Sequence, residues 1–216
     1  MSHPNKTSLV MIRKFAPIAL ALCSAVAAPA ALAQSAGSWT LGIGAHSVNP
    51  TAESGNIIAN SVPIDVQSSV RPTITAEYFI RDNLGIEVLA SWPFEHDINV
   101  TGLGRVGTTK HLPPTVSLQY HIGEAIARPF VGAGVNYTAF FSEESTGPLT
   151  GAELDLSNSW GLAVHAGIDF SLSERSAIRV DARWMDIDTD VAIDGTNVGT
   201  VSIDPLVYGA AYVLEF

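Results

Sequence analysis

Between Trp39 and Phe216 the chain alternates apolar and polar residues for about ten positions, stops, and begins again, eight times over. A period of two belongs to a strand whose two faces meet different surroundings. The last segment is the plainest. Leu206, Tyr208, Ala210, Tyr212, Leu214 and Phe216 share one face, while Val207, Gly209, Ala211, Val213 and Glu215 share the other. An apolar face carrying three rings, with no further chain to cover it, is suited to lipid.

The seven earlier segments repeat this pattern over residues 39–46, 70–80, 84–94, 112–122, 128–141, 160–170 and 178–185. A soluble lipocalin-like barrel is the competing arrangement, but it turns its apolar face inward. Here the glycines and most charges gather on the face opposite the apolar one, which favours a membrane barrel. The connections agree, since long polar stretches (47–69, 95–111, 142–157, 186–204) alternate with short ones (81–83, 123–127, 171–175). Outer-membrane barrels join their strands by short periplasmic turns and long extracellular loops. The pattern therefore predicts an all-β fold, an eight-stranded antiparallel up-and-down transmembrane β-barrel with both termini in the periplasm. Lipid tolerates no unpaired strand edge, so Leu206 to Phe216 must pair with Trp39 to His46.

The N-terminal part reads differently. Arg13 and Lys14 precede an apolar run from Phe15 to Ala28, and Ala31-Leu32-Ala33 has the form of a cleavage site, so residues 1–33 are expected to be a signal peptide and 34–216 the barrel. Either Met1 or Met11 could serve as the start. The single cysteine, Cys23, falls in the removed part, so no disulfide framework is expected. Of 11 basic residues, Lys6, Arg13 and Lys14 leave with the leader, and 8 remain against 21 acidic ones. That balance speaks against nucleic acid as a partner.

Eight strands enclose a lumen that side chains roughly fill. Glu77, Glu87, Arg179, Asp181 and Arg183 fall on the inward face and are expected to form an ion-pair network, with a solute-selective filter as the other reading. Phe79, Leu89, Phe130 and Phe140 share that face and make the interior greasy in places, which suits an apolar solute better than an ion. Proline has no N–H to give a ladder, and Pro72, Pro93, Pro113, Pro114 and Pro205 all fall toward the loop ends of their strands. Four of these five lie on consecutive strands. They either open the outer wall to let a small hydrophobic molecule leave sideways, with Pro113 and Pro114 as gate candidates, or they merely end the strands.

Several motifs lead nowhere. Asp186-Ile187-Asp188-Thr189-Asp190 has the acids of a calcium loop, but Val191 and Asn197 occupy the positions that need Gly and Glu. His96 and His111 lack metal-ligand spacing and read as ordinary loop histidines. Neither a Gly-x-Ser-x-Gly elbow nor a nucleophile and base pair stands out, so no enzyme, cofactor or metal is expected.

The chain also resembles a known family. Gly85 to Ala90 with Pro93 to Ile98, Lys110 to Thr115, Arg128 to Tyr137, Ser159-Trp160-Gly161 and Trp184 to Asp188 are similar, in the same order, to motifs of the outer membrane protein W (OmpW) family. The resemblance implies an outer-membrane location, a narrow hydrophobic channel that opens laterally, and passage of small apolar compounds, alkanes among them. It also implies that Trp160 stands at the channel constriction, whereas strand parity places Trp160 in the lipid-facing girdle. The expected partners are outer-membrane lipid and lipopolysaccharide, small hydrophobic solutes, and the barrel-assembly machinery, for which the terminal Phe216 is the expected signal. A structural or receptor-type barrel without transport is the alternative.

Overall fold

A computed structural model describes residues 35–50, 56–57, 62–66, 68–123 and 125–216; the expected signal peptide lies outside them. In chain order the strands are β1 (Trp39–Asn49), β2 (Asn56–Ile57), β3 (Val62–Val66), β4 (Ser69–Arg81), β5 (Leu84–Ser91), β6 (Phe94–Val100), β7 (Gly104–Leu112) and β8 (Thr115–His121). They continue as β9 (Ala127–Ser145), β10 (Leu154–Leu156), β11 (Ser159–Ser173), β12 (Ser176–Met185), β13 (Asp188–Ile193), β14 (Thr196–Ser202) and β15 (Leu206–Glu215).

Eight of these build the wall, in the order β1, β4, β5, β8, β9, β11, β12, β15, with β15 returning to β1. Every neighbouring pair is antiparallel. The closing ladder sets Leu41 opposite Leu214 and His46 opposite Gly209. At its lower end Trp39 and Phe216 exchange two backbone hydrogen bonds, each 3.0 Å long. The expected closure of the last segment on the first is therefore present, and each wall strand has a paired neighbour on both sides.

The outward faces follow the expected parity. Ile86 and Val88 on β5, Val116, Leu118 and Tyr120 on β8, and Tyr208, Tyr212 and Leu214 on β15 are all exposed. Such exposed apolar side chains would be costly in water and are at home in hydrocarbon. Rings mark both ends of the band. Trp39 lies against Tyr78 at 4.8 Å near the turns, and Tyr137 against Trp160 at 4.6 Å on the loop side, where Trp92 and Trp184 are also exposed.

Above the outer girdle the long connections depart from the expectation of polar loops. β6 and β7 form a hairpin that continues the wall, with β7 also pairing with the upper half of β9, and β13 and β14 form another that pairs with β10. The alternation also changes phase there. Phe94, His96 and Val100 are buried, as are Thr189, Val191 and Val201, while Glu95, Asp188 and Asp190 face outward and are exposed. Outside this part of the barrel lies water rather than lipid, so the apolar residues turn inward as in a soluble barrel. A search for apolar-outward strands passes over such segments.

The lumen is consequently split by height. Val48, Leu89, Phe94, Val106, Phe140, Met185, Ile187, Val201 and Val207 pack into one apolar cluster in its upper half. The lower half is filled with charged and polar side chains.

Candidate functional site

The lower half is a single hydrogen-bonded plug. Arg179 gives Nε and Nη2 to the two oxygens of Asp169 at 2.8 and 2.9 Å, and Nη1 to Glu87 at 2.8 Å. Arg183 donates to Glu87 through Nη1 at 2.6 Å and to Asp181 through Nε at 2.7 Å. Glu77 lies 3.5 Å from Arg179, accepts from the Gln119 amide at 2.9 Å and stands 3.1 Å from His121. At the top, His46 reaches Asp181 at 3.2 Å and Thr73 at 2.7 Å. The five residues expected in a network, Glu77, Glu87, Arg179, Asp181 and Arg183, are all in it. Asp169, His46, His121, His165 and Gln119 join them.

This plug is possible because wall residues opposite its larger side chains lack a side chain of their own. A Cβ at Gly209 would collide with the His46 ring, and one at Gly132 with the His165 ring. Phe130 lies within the same layer, its ring 4.5 Å below the Arg179 guanidinium, and Phe79 packs on His121 at 5.4 Å.

Above the plug the lumen is apolar. The upper cavity is lined by Ile98, Val106, Phe140, Leu154, Val191 and Ile203, with His96 and His111 on one side. A lower cavity rests on His46 and Thr73 and is bounded by Leu89, Ser91, Phe94, Pro113 and Val207. His111 lines both. Its ring is stacked on His96 at 4.9 Å and flanked by Phe94 at 5.5 Å and Phe140 at 5.7 Å, so four rings form a neck between the cavities. β7 as far as His111, which pairs with Phe94 beyond Trp92, stands above the outer girdle and outside the membrane-spanning wall. There, burial among these rings, with the neighbouring His96 adding to it, pushes His111 down to about 3.

Beside the lower cavity the wall is interrupted. The ladder between β5 and β8 runs from Leu84↔Tyr120 to Leu89↔Thr115 and stops, and pairing resumes only at Phe94↔His111, one residue out of register. Pro93, Pro113 and Pro114 occupy the interval and have no N–H to bridge it. On either side the wall stays shut. Trp92 donates its N–H to Pro72 at 3.1 Å, and Tyr137 to Pro114 at 3.0 Å. The lipid side of the interruption carries a groove lined by Ile74, Ala90, Ser91, Trp92, Pro93 and Leu112. Ser91 lines this outer groove and the inner cavity alike.

Of the channel residues expected from the sequence, the fold brings Leu89 and Pro113 to the lower cavity and Phe140 to the upper. Pro114 lies at the break with its carbonyl turned to β9. Phe79 and Phe130 are buried in the plug layer instead of the apolar lumen. Trp160 is corrected outright as a channel-lining residue. It is 73% exposed on the lipid face, because inward Ser159 and Gly161 flank it on a regular strand. His96 and His111 are not ordinary loop histidines, being 3% and 2% exposed. Their place in an alternating stretch beside Phe94 was the available signal.

A family model described as the OmpW family matches residues 35–216. Outer membrane protein W of Vibrio cholerae is 37% identical over 180 residues, which are 79% of this chain and 83% of that protein. The crystal structure of the outer membrane protein OprG from Pseudomonas aeruginosa superimposes with a TM-score of 0.77 at 31% identity, covering 86% of this chain and 99% of that one. A more distant relative, the dibenzothiophene metabolism operon protein PahQ of Pseudomonas aeruginosa, is 25% identical over 192 residues, 82% of this chain and 88% of its own.

Proposed function

The chain belongs to the OmpW family and is an integral outer-membrane β-barrel, and from that premise we propose that it is a passive channel for small hydrophobic molecules, releasing them sideways from its apolar upper lumen into the membrane. The observation that carries this reading is the double position of Ser91, on the inner cavity and on the lipid-side groove. At that point the wall lacks the β5–β8 ladder that closes it below.

The rest of the lumen supports the same route. A solute entering from outside meets apolar side chains down to His46 and then a layer of paired charges. Entering that layer would cost an apolar molecule the separation of ion pairs and offer it no apolar contact in return. Leaving through the proline break takes it from one hydrocarbon-like surrounding to another. The relative whose name places it in a dibenzothiophene metabolism operon is consistent with an apolar cargo. No step of this reading is catalytic.

Replacing Pro113 and Pro114 by valine and threonine supplies two N–H donors where the ladder is broken. Uptake of a radiolabelled aromatic hydrocarbon, by cells in which this barrel is the only such route, is then expected to fall severalfold while the barrel still inserts. Unchanged uptake in that variant counts against lateral exit, and wild-type uptake equal to that of cells lacking the barrel counts against a channel of any kind.

A further inference from the structure

Two residues that line the lower cavity, Ser91 and His111, each carry a polar atom that no neighbouring side chain satisfies. Ser91 Oγ and His111 Nδ1 are both buried from solvent and have no hydrogen-bond partner among the described residues. The cavity's other polar side chains are provided for, since His46 Nδ1 and Thr73 Oγ1 meet at 2.7 Å. Leaving a buried polar group unpaired is costly, so two around one small apolar cavity call for an explanation. Both line the cavity at the break in the wall, and His111 is also the ring that separates it from the upper cavity.

We propose that Ser91 and His111 together hold the hydroxyl head of a singly oxygenated apolar molecule, an alcohol or a phenol, while its hydrocarbon part lies along Leu89, Phe94 and Val207. A hydroxyl group donates one hydrogen bond and accepts others, as does the serine hydroxyl, and a neutral imidazole nitrogen takes whichever role its tautomer leaves it. A hydroxyl group therefore matches either orphaned atom, as donor to one or acceptor from the other. Charged heads are disfavoured here, because neither group brings a compensating charge and the surroundings are apolar. The inference rests on the channel reading above and adds to it a solute class. A plain hydrocarbon passes the same site but leaves Ser91 and His111 unpaired.

Equilibrium binding of 1-octanol and of n-octane to the full barrel in lipid nanodiscs, each corrected for partition into protein-free discs, tests this. Octanol is expected to bind about tenfold more tightly than octane, the worth of one to two neutral hydrogen bonds. It should also shift the side-chain 15N resonance of His111, which octane leaves in place. In the S91A/H111F double variant the ratio of the two affinities should fall to about one. Equal affinities in the wild type overturn the proposal and leave the channel reading intact, as does a preference for octanol that survives the double substitution. Binding of neither solute overturns both. Where H111F weakens folding, S91A alone is expected to remove about half of the preference on a logarithmic scale, and no change in S91A overturns the proposal.

Discussion

Arg183 of β12 spans the lumen to Glu87 of β5, its Nη1 2.6 Å from Oε1 and its Nη2 3.3 Å from Oε2. The two strands are not neighbours, for β15, β1 and β4 lie between them in the wall. The contact is a strut across the barrel and holds two arcs of the wall at a set separation.

Removing one end of the strut should cost more than replacing both. Arg183→Ala leaves Glu87 and Asp181 buried with a cation lost, and is expected to destabilise the barrel by about 3–5 kcal/mol. An R183M/E87M double variant, apolar at both ends, should lose distinctly less. The urea midpoint of the heat-modifiable band on gels measures both. Equal losses would mean that burial and packing, rather than charge pairing, hold the plug.

Gly209 should tolerate no side chain while His46 keeps its place. The ring is tied to Thr73 at 2.7 Å and to Asp181 at 3.2 Å, so it cannot move aside freely. Gly209→Ala is expected to cost about 1–3 kcal/mol by overpacking. In a His46→Ala background the same change should be close to neutral. A loss of the same size in both backgrounds would show that the collision is not what makes alanine costly.

Acid should loosen the part of the barrel that stands above the membrane. His111, lowered to about 3, stays neutral in the fold, whereas in an unfolded or opened segment it binds a proton below its ordinary value near 6.5. Stability of the β6–β7 hairpin is therefore unaffected above about pH 7 and falls as pH drops from about 6.5 toward 3. Amide hydrogen exchange of Ile98 and Thr109, corrected for the intrinsic pH dependence, should show less protection at pH 4.5 than at pH 7. In His111→Phe the difference should shrink markedly. A hairpin equally protected at both values in the wild type would contradict the assignment.

Phe216 should matter more to assembly than to the finished barrel. It is 67% exposed, and what it gives the wall is the pair of backbone hydrogen bonds with Trp39. Deleting it is expected to reduce the amount of barrel in the outer membrane several times more than Phe216→Ala reduces the stability of protein folded in detergent. Normal membrane levels of the deletion variant would argue that the terminal ring is no assembly signal.

The wall was legible because lipid and lumen differ so sharply. Ile86, Val88 and Ala90 against Glu87 and Leu89 leave one face for each, and the alternation of short and long connections then sets the strand number and orientation. The plug charges followed from the same parity. What escaped was the part whose outer medium is water. In residues 94–111 and 186–204 the apolar residues point inward, so β6, β7, β13 and β14 lack the lipid-facing pattern that tells a wall strand from a polar loop. His96 and His111 were lost with them, as was the neck they form. Trp160 shows a second limit, because a likeness in motif suggested a role that parity on a regular strand denies it. The position of Ser91 on both sides of the wall depends on where two ladders stop, and no local pattern announces that.

A barrel stoppered from below also bears on the envelope around it. Glu77, Glu87, Asp169, Asp181, Arg179 and Arg183 are each at most 4% exposed, packed against one another where a porin would hold open water. Copies of this protein should then be electrically silent in a planar bilayer. A cell could raise their number to gather scarce oily nutrients without surrendering its barrier to ions, dyes or hydrophilic antibiotics.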